Sequence, residues 1–264
     1  MSKNSNSETR PSYIKRVERI NPEKQLTGIL SKKFGQRFKD YRKEYFKILD
    51  NKNNNYDHVP DYPLNVLVEV VNKCNLECIM CLSSHRKGDT KVISNETISK
   101  LLTEFKENNL PALMFGAGDE PLMFSDIDQM WKEANLSGIM DIFIFTNGTL
   151  LNEDMCKKIL EHEVSRVYIS LDAATEETYQ KIRLTNKKIN EEVTGNQKLK
   201  IINEEQNSLQ SIENNIKKLI EMRDARNLQL PQIRVSYTVQ YKNKHEINMF
   251  KEKWENVVDF IEFQ

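Results

Sequence analysis

The run Cys74-Asn-Leu-Glu-Cys78-Ile-Met-Cys81 follows directly on an apolar, strand-like stretch at residues 64–71. Three thiols this close together point to a metal or a cluster rather than a disulfide. A structural zinc site takes four ligands, usually in two separated pairs. No second cysteine pair exists here, and His85 would make a cramped fourth ligand. A dithiol redox pair would use Cys78 and Cys81 and leave Cys74 unexplained. A [4Fe–4S] cluster is normally held by four cysteines. Three of them in one loop leave one iron open to a ligand from outside the protein, and this reading accounts for the run best.

The rest of the chain suits such a site. Its 264 residues are enough for one large α/β domain with an extension. Hydrophobic residues make up 38% and charged residues 30%, the composition of a soluble, core-forming chain. Lys+Arg and Asp+Glu both number 39, so net charge gives no reason to expect nucleic acid or an anionic membrane as partner. Apolar runs are strand-sized, which predicts no membrane span. Residues 1–10 are polar, without an apolar signal core, and the bunched cysteines suit a reducing compartment; the expected location is cytoplasmic. The fourth cysteine, Cys156, falls on the apolar side of a helical pattern at 152–162, with Met155, Ile159 and Leu160, and reads as core.

Two regions are expected: a disordered tail and helical extension at 1–58, and a core domain at 59–264. Leu30, Phe34, Phe38, Tyr41 and Tyr45 recur at helical spacing in the extension. The extension reads as helix packed on the main domain, with a basic docking surface as the alternative. Residues 51–58 read as a linker, and Pro60 and Pro63 mark the entry to the first strand. Strands are predicted at 64–71, 112–115, 141–145, 166–171, 232–240 and 257–263. Helices are predicted at 94–108, 125–135, 152–162, 176–183, 212–227 and 244–254. The alternation predicts a parallel sheet with right-handed crossovers, an open, partial (β/α)6 TIM-like barrel. A polar segment at 184–210 interrupts it and reads as disordered or as a partly helical excursion, with a lid as the alternative. The last predicted strand, with no helix after it, leaves an unpaired edge, which suggests a shortened chain.

In such folds function gathers at the C-terminal ends of the strands. Several notable segments fall there: the cysteine run, Gly116-Ala-Gly-Asp-Glu-Pro121, Thr146-Asn-Gly148 and Ser170–Asp172. As a set these motifs resemble the radical S-adenosylmethionine (radical SAM) superfamily over about residues 62–263. Its C-x3-C-x-φ-C signature is matched at Cys74, Cys78 and Cys81, with Met80 at the φ position. Residues 116–121 resemble the family's Gly-Gly-Glu-Pro region, with Asp119 in place of the second glycine. Residues 145–151 and 169–174, followed by Tyr179 and Arg183, are closest to the subgroup that carries SPASM or twitch extensions, whose cysteine-rich C-terminal region is absent here.

The resemblance implies a [4Fe–4S] cluster on the three cysteines and bound S-adenosylmethionine. It implies cofactor contacts from Met80 to adenine, from Gly116, Gly118, Asp119, Glu120 and Pro121 to the amino group, and from Ser170 and Arg183 to the carboxylate. Gln240 and Asn243 would lie near the ribose, and Asn147 and Asp172 complete the candidate set. Each has a plainer alternative: turn glycines, a solvated Glu120, a turn dipeptide at Asn147-Gly148, a helix-start role for Asp172, an ordinary ion pair for Arg183. No residue reads as a catalytic acid, base or radical donor. The implied function is reductive cleavage of S-adenosylmethionine to a 5′-deoxyadenosyl radical that abstracts hydrogen from a substrate. That substrate would be a sugar-type metabolite or a peptide, altered by an oxidoreductase- or epimerase-type reaction. A reducing partner such as flavodoxin or ferredoxin would supply the electron. The alternative is a non-catalytic iron–sulfur or zinc scaffold that binds a partner.

Overall fold

The computed structural model describes residues 15–18, 21–49, 59–192 and 198–264. The expected tail at 1–10 and linker at 51–58 lie outside the described residues. The elements are β1 (Lys15–Glu18), α1 (Pro22–Phe34), α2 (Gln36–Leu49), β2 (Asn65–Val68), β3 (Leu76–Cys78), α3 (Asn95–Glu107), β4 (Ala112–Phe115), α4 (Ile127–Leu136) and β5 (Asp141–Thr146). There follow α5 (Glu153–Glu161), β6 (Arg166–Ser170), α6 (Glu176–Ile182), β7 (Arg183–Thr185), α7 (Lys187–Glu192), α8 (Leu209–Ala225), β8 (Gln232–Tyr237), α9 (Ile247–Trp254) and β9 (Phe260–Phe263).

Six strands, in the order β9-β8-β6-β5-β4-β2, pair in parallel, each reached through a connection that carries helix. Alternation along the strands sorts the side chains. Leu113, Phe115, Ile142, Ile144, Val167, Ile169, Val235 and Ile261 join the large core formed with the helices, among them Trp131 of α4, Ile159 of α5, Ile216 of α8 and Trp254 of α9. On the other face Phe143, Tyr168 and Phe260 form a separate aromatic cluster with Met114 and Phe145. Polar caps start the helices where the sequence places them: Ser94 Oγ accepts from Thr97 N at 3.1 Å and Asn152 Oδ1 from Met155 N at 2.9 Å. This is the expected α/β partial barrel.

The N-terminal helices close the end of the barrel where the strands begin. Leu26, Leu30, Phe38 and Tyr41 pack on Ala112 and Met140 at the starts of β4 and β5. The helical periodicity is interrupted at Gly35, whose φ of +64° breaks it into two helices. One expectation is corrected here. The last strand is not left unpaired, because β1 adds to β9 antiparallel, Lys15 opposite Phe263. Its four residues, Lys-Arg-Val-Glu, carry too little alternation to announce a strand.

The interruption at 184–210 is also structured where it is described. It supplies β7 and α7, and Leu199 and Ile202 are buried. Backbone bonds from Ser125 N to Lys198 O and from Lys200 N to Met123 O fasten it beside α4.

At the start of β6 the buried Arg166 guanidinium pairs with Asp141 of β5 and lies 4.9 Å from the Phe143 ring centre. Asp141 also accepts from Ser165 Oγ at 2.6 Å. Arg166→Met leaves the Asp141 carboxylate buried without its cation. It is expected to cost about 3–5 kcal/mol, read as a lower urea midpoint at unchanged m-value.

Candidate cofactor site

A cavity of about 320 Å³ opens at the C-terminal ends of the strands. Cys74, Cys78, Met80 and Cys81 line it together with Gly116 to Glu120, Phe145 to Asn147, Ser170, Asp172, Arg183 and Thr238. Most of the sequence-predicted residues are therefore brought together. Pro121, Gln240 and Asn243 are not among the lining residues. Pro121 starts a short 3-10 turn, Pro121–Met123, behind the Gly116 bend. Gln240 Nε2 reaches Met80 Sδ at 3.7 Å. Asn243 is fully buried, its amide donating to the carbonyls of Asp172 and Thr238 at 2.9 Å each, so it ties two loops together.

The cysteine loop is held by strand pairing. The short β3 pairs antiparallel with β7, which sets Cys78 opposite Arg183. Ile79 N donates to Ile182 O and Asn186 N to Asn75 O, extending the attachment on both sides. Arg183 Nη2 bonds Asp172 Oδ2 at 2.5 Å, both residues buried. Asp172 itself sits at a φ of +60° and accepts from Thr238 N at 2.7 Å, fixing the end of β6 to the end of β8. The Arg183 Nε is buried and makes no hydrogen bond among the described residues. Such an atom suits an anionic oxygen of a ligand.

Of the two cavity glycines, Gly116 is required by the backbone, while Gly118 sits against the ends of two flexible side chains. A Cβ on Gly116, at φ +85°, would lie 2.2 Å from the Phe145 carbonyl oxygen. A Cβ on Gly118 would lie 2.2 Å from Arg86 Nη2 and 2.8 Å from Glu69 Oε1, members of an ion pair at 2.9 Å. Glu120 is buried and fully engaged. It accepts from Thr146 Oγ1 and Asn147 N at 2.7 Å each and from Leu122 N at 3.2 Å. It thus joins the turn after β4 to the turn after β5.

Burial governs the electrostatics. It pushes the Cys74 thiol well up, with the Glu120 charge adding to the effect. It also pushes Cys78 up, with Arg183 pulling the other way. Free thiolates are therefore disfavoured, and a bound cation reverses the balance. Burial raises Asp119 to about 7, helped by Glu120 and Glu69. Burial raises Glu120 to about 7 against its three hydrogen-bond donors. For Arg183 burial works against the charge, but Asp172, Cys78 and Tyr179 together outweigh it and keep the guanidinium protonated. Cys156 lies apart from the cavity, buried in α5, its thiol raised by burial to about 12.

Among the described residues no three Cys, His, Asp or Glu side chains gather around a point as a single metal ion requires. A four-iron cube takes each thiolate at a separate iron, so three thiols lining one cavity match its donor set. Sequence reasoning missed Asn75, Ser83, Thr149 and Thr238. Asn75 lies inside the cysteine run and Thr149 beside Asn147-Gly148, so proximity to the motifs was the available signal.

The Radical SAM superfamily profile matches residues 68–263, and the chain belongs to this family. Its members use a [4Fe–4S] cluster and S-adenosylmethionine. A 7,8-dihydro-6-hydroxymethylpterin dimethyltransferase of Methanocaldococcus jannaschii is 32% identical over 116 residues, 42% of this chain and 23% of that protein. A GTP 3′,8-cyclase of Limosilactobacillus fermentum is 30% identical over 131 residues, 48% of this chain and 38% of that protein. The chain thus matches well under half the length of these curated relatives. Among solved structures, Streptococcus suis SuiB bound to S-adenosylmethionine shares the fold at TM-score 0.52 and 14% identity, covering 83% of this chain and 43% of that one. Native anSMEcpe with bound AdoMet does so at 0.51 and 18%, covering 72% and 49%. The SPASM or twitch affinity rests on the motifs alone. No helix among the described residues is long and apolar enough to cross a membrane.

Two expectations follow from the geometry. Gly116→Ala forces a methyl group into the Phe145 carbonyl at a left-handed φ, and should cost about 2–4 kcal/mol in thermal or urea unfolding. Asp119 and Glu120 bind protons more tightly folded than unfolded, so their contribution is complete below about pH 4 and is lost as pH rises through about 7. Cluster-free protein should lose stability between about pH 4 and 7. Asp119→Asn should flatten that slope, measured by urea midpoints across the range.

Proposed function

We propose that this chain is the catalytic core of a radical SAM enzyme, with the cluster on Cys74, Cys78 and Cys81 and S-adenosylmethionine in the adjoining 320 Å³ cavity. The carrying observation is that the three thiols line that cavity together with Met80, Ser170, Arg183 and residues 116–120. When bound, the cluster supplies the electron that breaks a carbon–sulfur bond of S-adenosylmethionine, and the 5′-deoxyadenosyl radical so made abstracts hydrogen from substrate.

The chain's own residues bind and orient. Arg183, held by Asp172 and offering Nε, suits the cofactor carboxylate, with the Ser170 hydroxyl beside it. The carbonyls of residues 116–119 suit its amino group, and Met80 offers a flexible apolar surface to adenine. Gln240, in contact with Met80, would fall near the ribose. Glu120 supports this arrangement from behind, as a brace between two turns.

The relatives named for pterin and GTP chemistry favour a small-molecule substrate over a peptide. A reducing partner such as flavodoxin or ferredoxin is the reading for the electron source. An oxidoreductase- or epimerase-type outcome is the reading of the reaction itself.

Anaerobic reconstitution with iron and sulfide should load about four irons per chain. With dithionite and S-adenosylmethionine it should release 5′-deoxyadenosine. A loaded cluster whose spectrum ignores the cofactor would favour the scaffold reading instead. Cys78→Ala should lose the cluster. Cys156→Ala should keep it, at a stability cost of about 1 kcal/mol for the small cavity.

A further inference from the structure

Behind the cysteine loop three buried side chains form a closed ring of hydrogen bonds. Asn147 Nδ2 donates to Asn75 Oδ1 at 2.7 Å, Asn75 Nδ2 to Thr149 Oγ1 at 2.9 Å, and Thr149 Oγ1 back to Asn147 Oδ1 at 2.7 Å. All three residues are at most 5% exposed. The ring fixes which way the Asn147 amide points. Thr149 N, a donor only, lies 3.0 Å from Asn147 Oδ1, so that atom must be the oxygen. The amide nitrogen then faces Asn75 Oδ1 with one hydrogen and Cys74 Sγ, 3.6 Å away, with the other.

A cysteine bound to iron has no proton to give, so Cys74 Sγ can only accept. Leu76 N, at 3.4 Å, is its second donor. A similar contact occurs at Cys81, whose Sγ lies 2.8 Å from Ser83 Oγ; toward a thiolate the hydroxyl must donate. Hydrogen bonds to cluster sulfurs stabilise the added negative charge of the reduced state and so raise the reduction potential. Asn147 contributes such a bond from a low-dielectric setting, where it acts strongly. With both amide hydrogens and its oxygen engaged in the ring and at the sulfur, the Asn147 side chain is committed to the cluster side of the cavity rather than to the cofactor.

We propose that Asn147 is a positioning residue that raises the potential of the cluster through Cys74, its amide locked in the donating orientation by Asn75 and Thr149. The proposal rests on the cluster assignment above and adds to it a reason for the Asn75–Asn147–Thr149 set. Removing the donor makes the cluster harder to reduce without removing a ligand.

The test is a redox titration of anaerobically loaded full-length protein, followed by the electron paramagnetic resonance signal of the reduced cluster. Asn147→Ala should shift the midpoint to a more negative potential, while Thr149→Ser, which keeps the hydroxyl, should match the parent. An Asn147→Ala protein that holds its cluster at the parent midpoint overturns the proposal. Because that variant also removes a buried, hydrogen-bonded side chain, the unmodified sequence is grown with asparagine carrying 15N in its side-chain amide. Pulsed resonance of its reduced cluster should show a weak 15N coupling, and absence of that coupling overturns the proposal too. A parent chain that loads no cluster contradicts the functional reading itself; a loaded, cofactor-responsive cluster with an unshifted variant midpoint contradicts only the role of Asn147.

Discussion

The pairing of two three-residue strands, Leu76–Cys78 with Arg183–Thr185, fixes the cysteine loop, and the rest of the site depends on it. A loop that must present three thiols to one rigid object cannot afford to sample many conformations. The ladder removes that freedom at Cys78 and, through the bonds of Ile79 and Asn186, on either side of it. The same ladder delivers Arg183 opposite Cys78, so the proposed cluster ligand and the proposed carboxylate partner are set by one register. A slip of one residue would turn both away from the cavity.

The site is electrostatically costly when empty of cations. The Cys74 and Cys78 thiols, the Asp119 and Glu120 carboxyl groups and the Arg183 guanidinium lie within it, and burial opposes the charged form of each. The outer core of aliphatic strand residues against the helices offsets that cost, and the Asp172–Arg183 pair and the donors around Glu120 localise it. This is preorganisation: polar groups are fixed before a ligand arrives, and little rearrangement is left for binding.

Much of this was legible in the sequence because the signals were local. The strand at 112–115 and the helices that Ser94 and Asn152 cap were found from apolar periodicity. The cysteine spacing announced the donor set. What was hidden depended on distant partners. Strand β7 is three residues long and exists because β3 lies beside it; nothing in Arg-Leu-Thr alone predicts it. Strand β1 is likewise made by the edge of β9. Glu120 lay in a motif, but its role as a brace to Thr146 and Asn147 needed the fold. Gly116 read as a place for close ligand approach, whereas its missing side chain makes room for the Phe145 carbonyl. The Asn75–Asn147–Thr149 ring joins residues more than seventy positions apart, beyond the reach of any local pattern.

The account turns on one iron being different from its fellows. Mössbauer spectra of protein loaded with 57Fe measure this directly, before and after S-adenosylmethionine is added. A single iron of the cluster should change its parameters on addition while the others keep theirs. Four irons that respond alike, or a spectrum unmoved by the cofactor, would contradict a cluster held by Cys74, Cys78 and Cys81 alone.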